Sequence, residues 1–179
     1  MAPFWEAGQQ LSAGSRSAMD PTARTLIEGL ELRPHPEGGW YRELHRSALA
    51  VTREGDGAPR SGLTVIAFLL SEGEISRWHR VVGADEVWLH AAGSPLQLHH
   101  HDPNTGRSRP LGLGPLNPAD ANQQPVRVIP ADHWQAARST GAWTLVHCCV
   151  GPGFAFDDFS LLRDLPRQEW PAGLDPELV

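Results

Sequence analysis

The chain has 179 residues and a formal net charge of −6, enough for one domain with a buried core and too little for two ordinary ones. All fifteen basic residues are arginine; without a lysine amine, Schiff-base chemistry, covalent pyridoxal phosphate and a P-loop are excluded. The acidic balance, with no Arg-rich run, argues against a nucleic-acid partner, and no apolar run is long enough to span a membrane.

In chain order, residues 1–20 are small, polar and unpatterned and are expected to form a flexible tail. Asp20-Pro21 supplies an N-cap and a proline for the first helical position, and Leu26, Ile27 and Leu30 then line one side of a short helix. From Trp40 the pattern changes to short strands separated by turn residues. Leu63–Leu70 (LTVIAFLL) is a continuous apolar run of strand length, expected to be covered on both faces. Further strands are predicted at Ile75–Val81, Glu86–His90, Leu96–His101, Val126–Ile129, Gln135–Arg138 and Trp143–Val150. Asp102-Pro103-Asn104-Thr105-Gly106 has the chemistry of a hairpin turn. The Pro/Gly/Asn-rich stretch Leu111–Pro125 reads as a loop placed to cover an opening. The expected organisation is a tail over 1–20, an all-β barrel domain over 21–165 and a C-terminal tail over 166–179.

Cys148 and Cys149, the only cysteines, are adjacent on a predicted strand and point to opposite faces. Two cysteines without a framework, and no signal-peptide pattern at the start, fit a cytoplasmic protein. The triplet His99-His100-His101 cannot chelate one ion, because neighbouring strand residues alternate faces.

The residues Gly73, His79, Val81, Glu86 and Gly93 follow Gly-x5-His-x-Val-x4-Glu-x6-Gly. This resembles the first cupin motif, with Val81 at the position of its second histidine. Pro130-Ala131-Asp132-His133-Trp134-Gln135 resembles the second motif, with Asp132 at the turn glycine and Gln135 at the third histidine. Longer phrases, His35-Pro36-Glu37-Gly38-Gly39-Trp40-Tyr41-Arg42-Glu43, Trp78-His79-Arg80, Asp85-Glu86-Val87-Trp88 and Gly151-Pro152-Gly153-Phe154, are similar to the DUF985 (Cupin 5) family. The resemblance implies a single-domain cupin, a double-stranded β-helix or jelly-roll barrel, acting as a homodimer on a small molecule.

His79 and Glu86 are the expected catalytic pair, with the carboxylate fixing the imidazole and raising its basicity. Tyr41, the only tyrosine, is expected either to donate a proton to a leaving oxygen or to anchor a turn. Arg42, Arg77 and Glu37 are read as substrate-binding residues, the arginines as clamps for a carboxylate or phosphate. Trp88, Trp134 and Gln135 are expected to line the cavity. The leading reading is a metal-independent isomerase, epimerase or dehydratase without a cofactor, acting on a sugar-like or carbonyl-bearing metabolite. Two alternatives stand beside it. One is an oxygenase or hydrolase with iron, nickel or zinc held by His79, Glu86 and Gln135; the other is a non-catalytic ligand-binding cupin.

Overall fold

Asp20 closes the first turn of the expected helix: its carboxylate accepts from the Thr22 and Ala23 backbone N–H groups, and α1 runs Pro21–Gly29. The structure, a computed structural model, describes residues 19–179. The tail expected over 1–20 thus lies outside the described residues except for Met19, which packs beside α1, and the capping Asp20.

Two six-stranded sheets form a β-sandwich. The first runs in the order β1 (Arg33–Pro34), β2 (Trp40–Arg46), β5 (Thr64–Ser71), β13 (Trp143–Gly151), β7 (Asp85–Gly93) and β11 (Val126–Ile129). The second runs β10 (Gln123–Gln124), β9 (Arg107–Leu113), β8 (Leu96–Asp102), β12 (Trp134–Ser139), β6 (Ile75–Val81) and β14 (Phe159–Leu161). A separate hairpin joins β3 (Ala50–Thr52) to β4 (Pro59–Ser61).

The strand periodicity builds three layers. Phe68, Leu70, Trp88, Leu98, Leu113, Ile129 and Val146 meet between the sheets. Ala67 and Leu69, on the other face of β5, are covered by α1 through Ala23, together with Leu32 and Leu145. The part of the run from Ala67 to Leu70 is therefore covered on both sides, as its pattern predicts, whereas Leu63 at its start is exposed. On the outer face of the second sheet, Trp78 and Trp134 pack against Leu162 and Leu178. Both leucines are fully buried, worth about 1.5–3 kcal/mol each in area removed from water. The segment expected as a C-terminal tail is thus a third layer, with Leu165, Trp170 and Leu174 joining it.

The stretch Leu111–Pro125 also departs from expectation. The β8–β9 pairing runs from the Asp102–Gly106 turn through Pro110 and Gly112 to Leu113, and Gln123–Gln124 adds a short parallel strand beside Gly112 and Leu113. Cross-strand pairing overrides the turn-like composition here. None of this stretch lines the cavity described below. Among the described residues no helix is long and apolar enough to cross a membrane.

Candidate functional site

A cavity of about 430 Å³ opens between the two sheets on the side of β2 and β14, and it gathers residues from seven strands and three connecting segments. His79 of β6 and Glu86 of β7 stand on its inner surface, with Glu37, His35 and Cys148; Tyr41, Arg42 and Glu43 of β2 and the exposed Arg33 of β1 stand toward its mouth. The opposite wall is aromatic, formed by Phe154, Phe156 and Phe159, whose rings contact one another edge-on.

Local backbone geometry places Glu37. Gly38 and Gly39 have φ values of +113° and +68°, a region open mainly to glycine. A Cβ at Gly38 would collide with the Ile75 carbonyl oxygen. This lets the loop press against β6, where the Glu37 carbonyl accepts from the Arg77 backbone N–H at 2.9 Å and from its guanidinium at 3.0 Å. The Glu37 side chain then turns inward, buried, with the Ser76 hydroxyl donating to its Oε1 at 2.7 Å.

The tautomers follow from the partners. Nδ1 of His79 lies 2.8 Å from the Arg77 carbonyl; a carbonyl only accepts, so Nδ1 carries the hydrogen and Nε2 presents its lone pair in the neutral ring. That Nε2 is 3.3 Å from Oε2 of Glu37. Nδ1 of His35, which accepts the Glu37 backbone N–H, is 3.4 Å from the same oxygen. Oε2 therefore faces two nitrogen lone pairs, and a proton must reside among the three groups. Burial decides where. Desolvation pushes the Glu37 carboxyl up to about 8 and holds His35 down to about 3. His79 is also lowered by burial, against the pull of Glu86. At neutral pH the proton sits on Glu37 Oε2, beside a neutral His79.

Glu86 has different partners from those expected. Its Oε2 accepts from the Gln135 amide at 2.6 Å. Burial raises the Glu86 carboxyl above its usual range. The Arg77 carbonyl fixes the His79 ring and Glu37 supplies the carboxyl at its Nε2, so Glu86 is a second buried acid and not the orienter of the imidazole.

Tyr41 and Arg42 line the cavity, Arg42 being tied to the Leu30 carbonyl and Glu31. Arg77 shares the parity of His79, but its guanidinium is spent on the Glu37 carbonyl and does not reach the cavity. Trp88 is core, its indole N–H donating to Oε1 of Gln135 at 2.8 Å. Trp134 and Gln135 are adjacent and cannot share a face; Gln135 points inward, whereas Trp134 lies under the C-terminal layer with the Arg80 guanidinium 4.9 Å from its ring. Neither tryptophan lines the cavity, nor does Gln135. His99, His100 and His101 find three separate partners, Gln97, His133 and Ser108.

The residues at the cupin ligand positions do not form a metal site. Val81 offers no donor atom. Gln135 sits opposite His79 in the β6–β12 register, but an indole N–H can only donate, so the amide oxygen is committed to Trp88 and the amide presents N–H to Glu86. A liganding oxygen is not available from that side chain. Asp132, standing where the second motif has glycine, adopts φ +68° and accepts the Gly83 N–H; aspartate tolerates this left-handed region better than most residues.

A family model, the Cupin superfamily (DUF985), matches residues 24–162. The chain belongs to the DUF985 family of cupins. A hypothetical protein from Leishmania major is 32% identical over 82% of this chain and 93% of its own, with a TM-score of 0.69. A protein from Shewanella oneidensis is 37% identical over 78% of this chain and 83% of its own, also at 0.69. An oxalate decarboxylase variant from Bacillus subtilis shares the fold alone, at 16% identity, TM-score 0.51, over 73% of this chain and 30% of its own. No curated protein matches.

Proposed function

We propose that this cupin is a metal-independent isomerase, epimerase or dehydratase acting on a small sugar-like or carbonyl-bearing metabolite. The observation that carries the reading is the buried Glu37–His79 pair, one proton between an acid and a base, 3.3 Å apart at the surface of a cavity. Neutral His79 would take a proton from a carbon beside a carbonyl through Nε2, while Glu37 gives its own to the carbonyl oxygen. The resulting imidazolium and carboxylate form an ion pair in the low-dielectric floor, and the reverse transfer at the neighbouring carbon restores both groups. The 3.3 Å approach is longer than a finished hydrogen bond, as acid/base pairs often are before substrate arrives. Tyr41 would bind the substrate oxygen, and Glu86, kept in place by Gln135, would stand as a second buried carboxyl whose affinity for a proton burial raises.

The test is solvent exchange in heavy water, followed by NMR across sugar nucleotides and 2-keto acids. Wild type is expected to place deuterium beside the carbonyl of at least one compound, and His79→Ala to show only the solution rate. Exchange that is equal in wild type and His79→Ala, or absent with every compound, would contradict the reading.

A further inference from the structure

The mouth of the cavity has an unanswered cation. Arg42 is paired with Glu31 at 3.0 Å, and Arg46 with Glu43 at 2.7 Å. Arg33 also lines the cavity, and among the described residues no carboxylate lies within ion-pairing distance of it. It is set directly opposite Tyr41 in the β1–β2 register, and directly opposed residues on antiparallel strands project from the same face. Arginine and phenol therefore flank the entrance side by side. Across from them Phe156, 57% exposed for so large an apolar group, leans its ring toward His35 at 6.5 Å in a stacked orientation.

We infer that Arg33 is a specificity-determining residue, and that the cavity takes a ligand with one anionic group, a carboxylate or a phosphate, attached to a body flat enough to lie on the Phe154–Phe156–Phe159 wall. A guanidinium offers a planar fork of donors that matches both oxyanions. The neighbouring ion pairs are internally balanced, so they neither add to that charge nor compete for it. In a chain of net charge −6, a cavity with a free cation at its entrance also selects against neutral analogues, because bringing them in leaves Arg33 partly desolvated and unpaired. The reacting carbon of such a ligand would lie between the bound anion and the Glu37–His79 pair. This inference rests on the proposed acid/base reading only for what happens after binding.

Three probes of common shape test it: phenylacetate, phenyl phosphate and the neutral phenylacetamide, titrated against the full chain by calorimetry. One or both anions are expected to bind about tenfold or more tightly than the amide, the worth of a charge-assisted hydrogen bond. Arg33→Gln should erase the difference while amide binding stays as it was. The tighter of the two anions identifies the ligand class as carboxylate or phosphate. Equal affinity of amide and anions, an unchanged preference in Arg33→Gln, or no binding of any probe would overturn the inference. Arg33 is exposed, so its replacement leaves the core intact. His79→Ala separates the two proposals: anion preference retained with exchange lost means that binding and chemistry fail independently.

Discussion

Between pH 6.5 and 8 the folded protein is expected to lose about 2 kcal/mol of stability through Glu37 alone, and Glu37→Gln to remove that part of the loss. In the unfolded chain this carboxyl ionises near 4.5, but burial holds its proton to about 8 in the folded state. Within that window the folded state binds a proton that the unfolded state has released, so stability falls as pH rises, by about 1.4 kcal/mol per unit. Below pH 6.5 the sign is mixed. His35 and His79 are both held below their ordinary value by burial, so there the unfolded chain binds the extra protons and stability rises with pH. Glutamine keeps the Ser76 contact and the shape without a titrating proton. Urea melts of both proteins at the two ends of the window measure the effect as the difference between them. The slope that remains in Glu37→Gln has two opposed parts: Glu86, which burial raises, and the histidines that burial lowers, which still release protons from the unfolded chain just above 6.5. Identical slopes in the two proteins would mean that Glu37 is ionised in the fold.

Gln135→Ala is expected to cost about 3 kcal/mol or more, through loss of a buried side chain and of both its hydrogen bonds. Gln135 is 1% exposed and bridges Trp88 to Glu86, and neither neighbour has a replacement in the hydrogen-bond pattern. Deleting it leaves an indole N–H unsatisfied in the core and a carboxyl without its strongest donor. Chemical denaturation reads the loss. A change within about 0.5 kcal/mol, the range of ordinary surface substitutions, would show that the bridge is not structural.

Much of the fold was legible in the sequence because the strands carry unambiguous signals. Ile75–Val81 and Val126–Ile129 begin and end where their patterns predict, and Asp20-Pro21 starts the helix. The segments that were misread lack a period of their own. Leu111–Leu113 joins a strand because β8 pairs with it, and the C-terminal segment is ordered by the Trp78 and Trp134 rings beneath it; both outcomes depend on distant residues. At the site, the motif spacing placed His79 and Glu86 around one cavity, but partner choice was not readable from spacing. Glu37 reaches His79 only because Gly38 and Gly39 fold the loop against β6. The cavity role of His35 carried no such signal: it opens a turn that the Gly38 N–H closes on the His35 carbonyl, so strand alternation does not relate it to Glu37. Arg33 had no local signal, since its place is set by the β1–β2 register. Trp134 was expected as aromatic cavity lining, but it lies on the opposite strand face from the inward-pointing Gln135, under the C-terminal layer.

At physiological pH the cavity floor is expected to hold a proton on Glu37 beside a neutral imidazole. Carboxyl-carbon NMR of Glu37, followed together with the ring nitrogens of His79 across a pH titration, reads both groups at once. The expected spectra show a protonated carboxyl that titrates near 8, with hydrogen on Nδ1 of His79 and none on Nε2 at neutral pH. A Glu37 carboxyl that is already ionised at pH 7 would contradict that expectation.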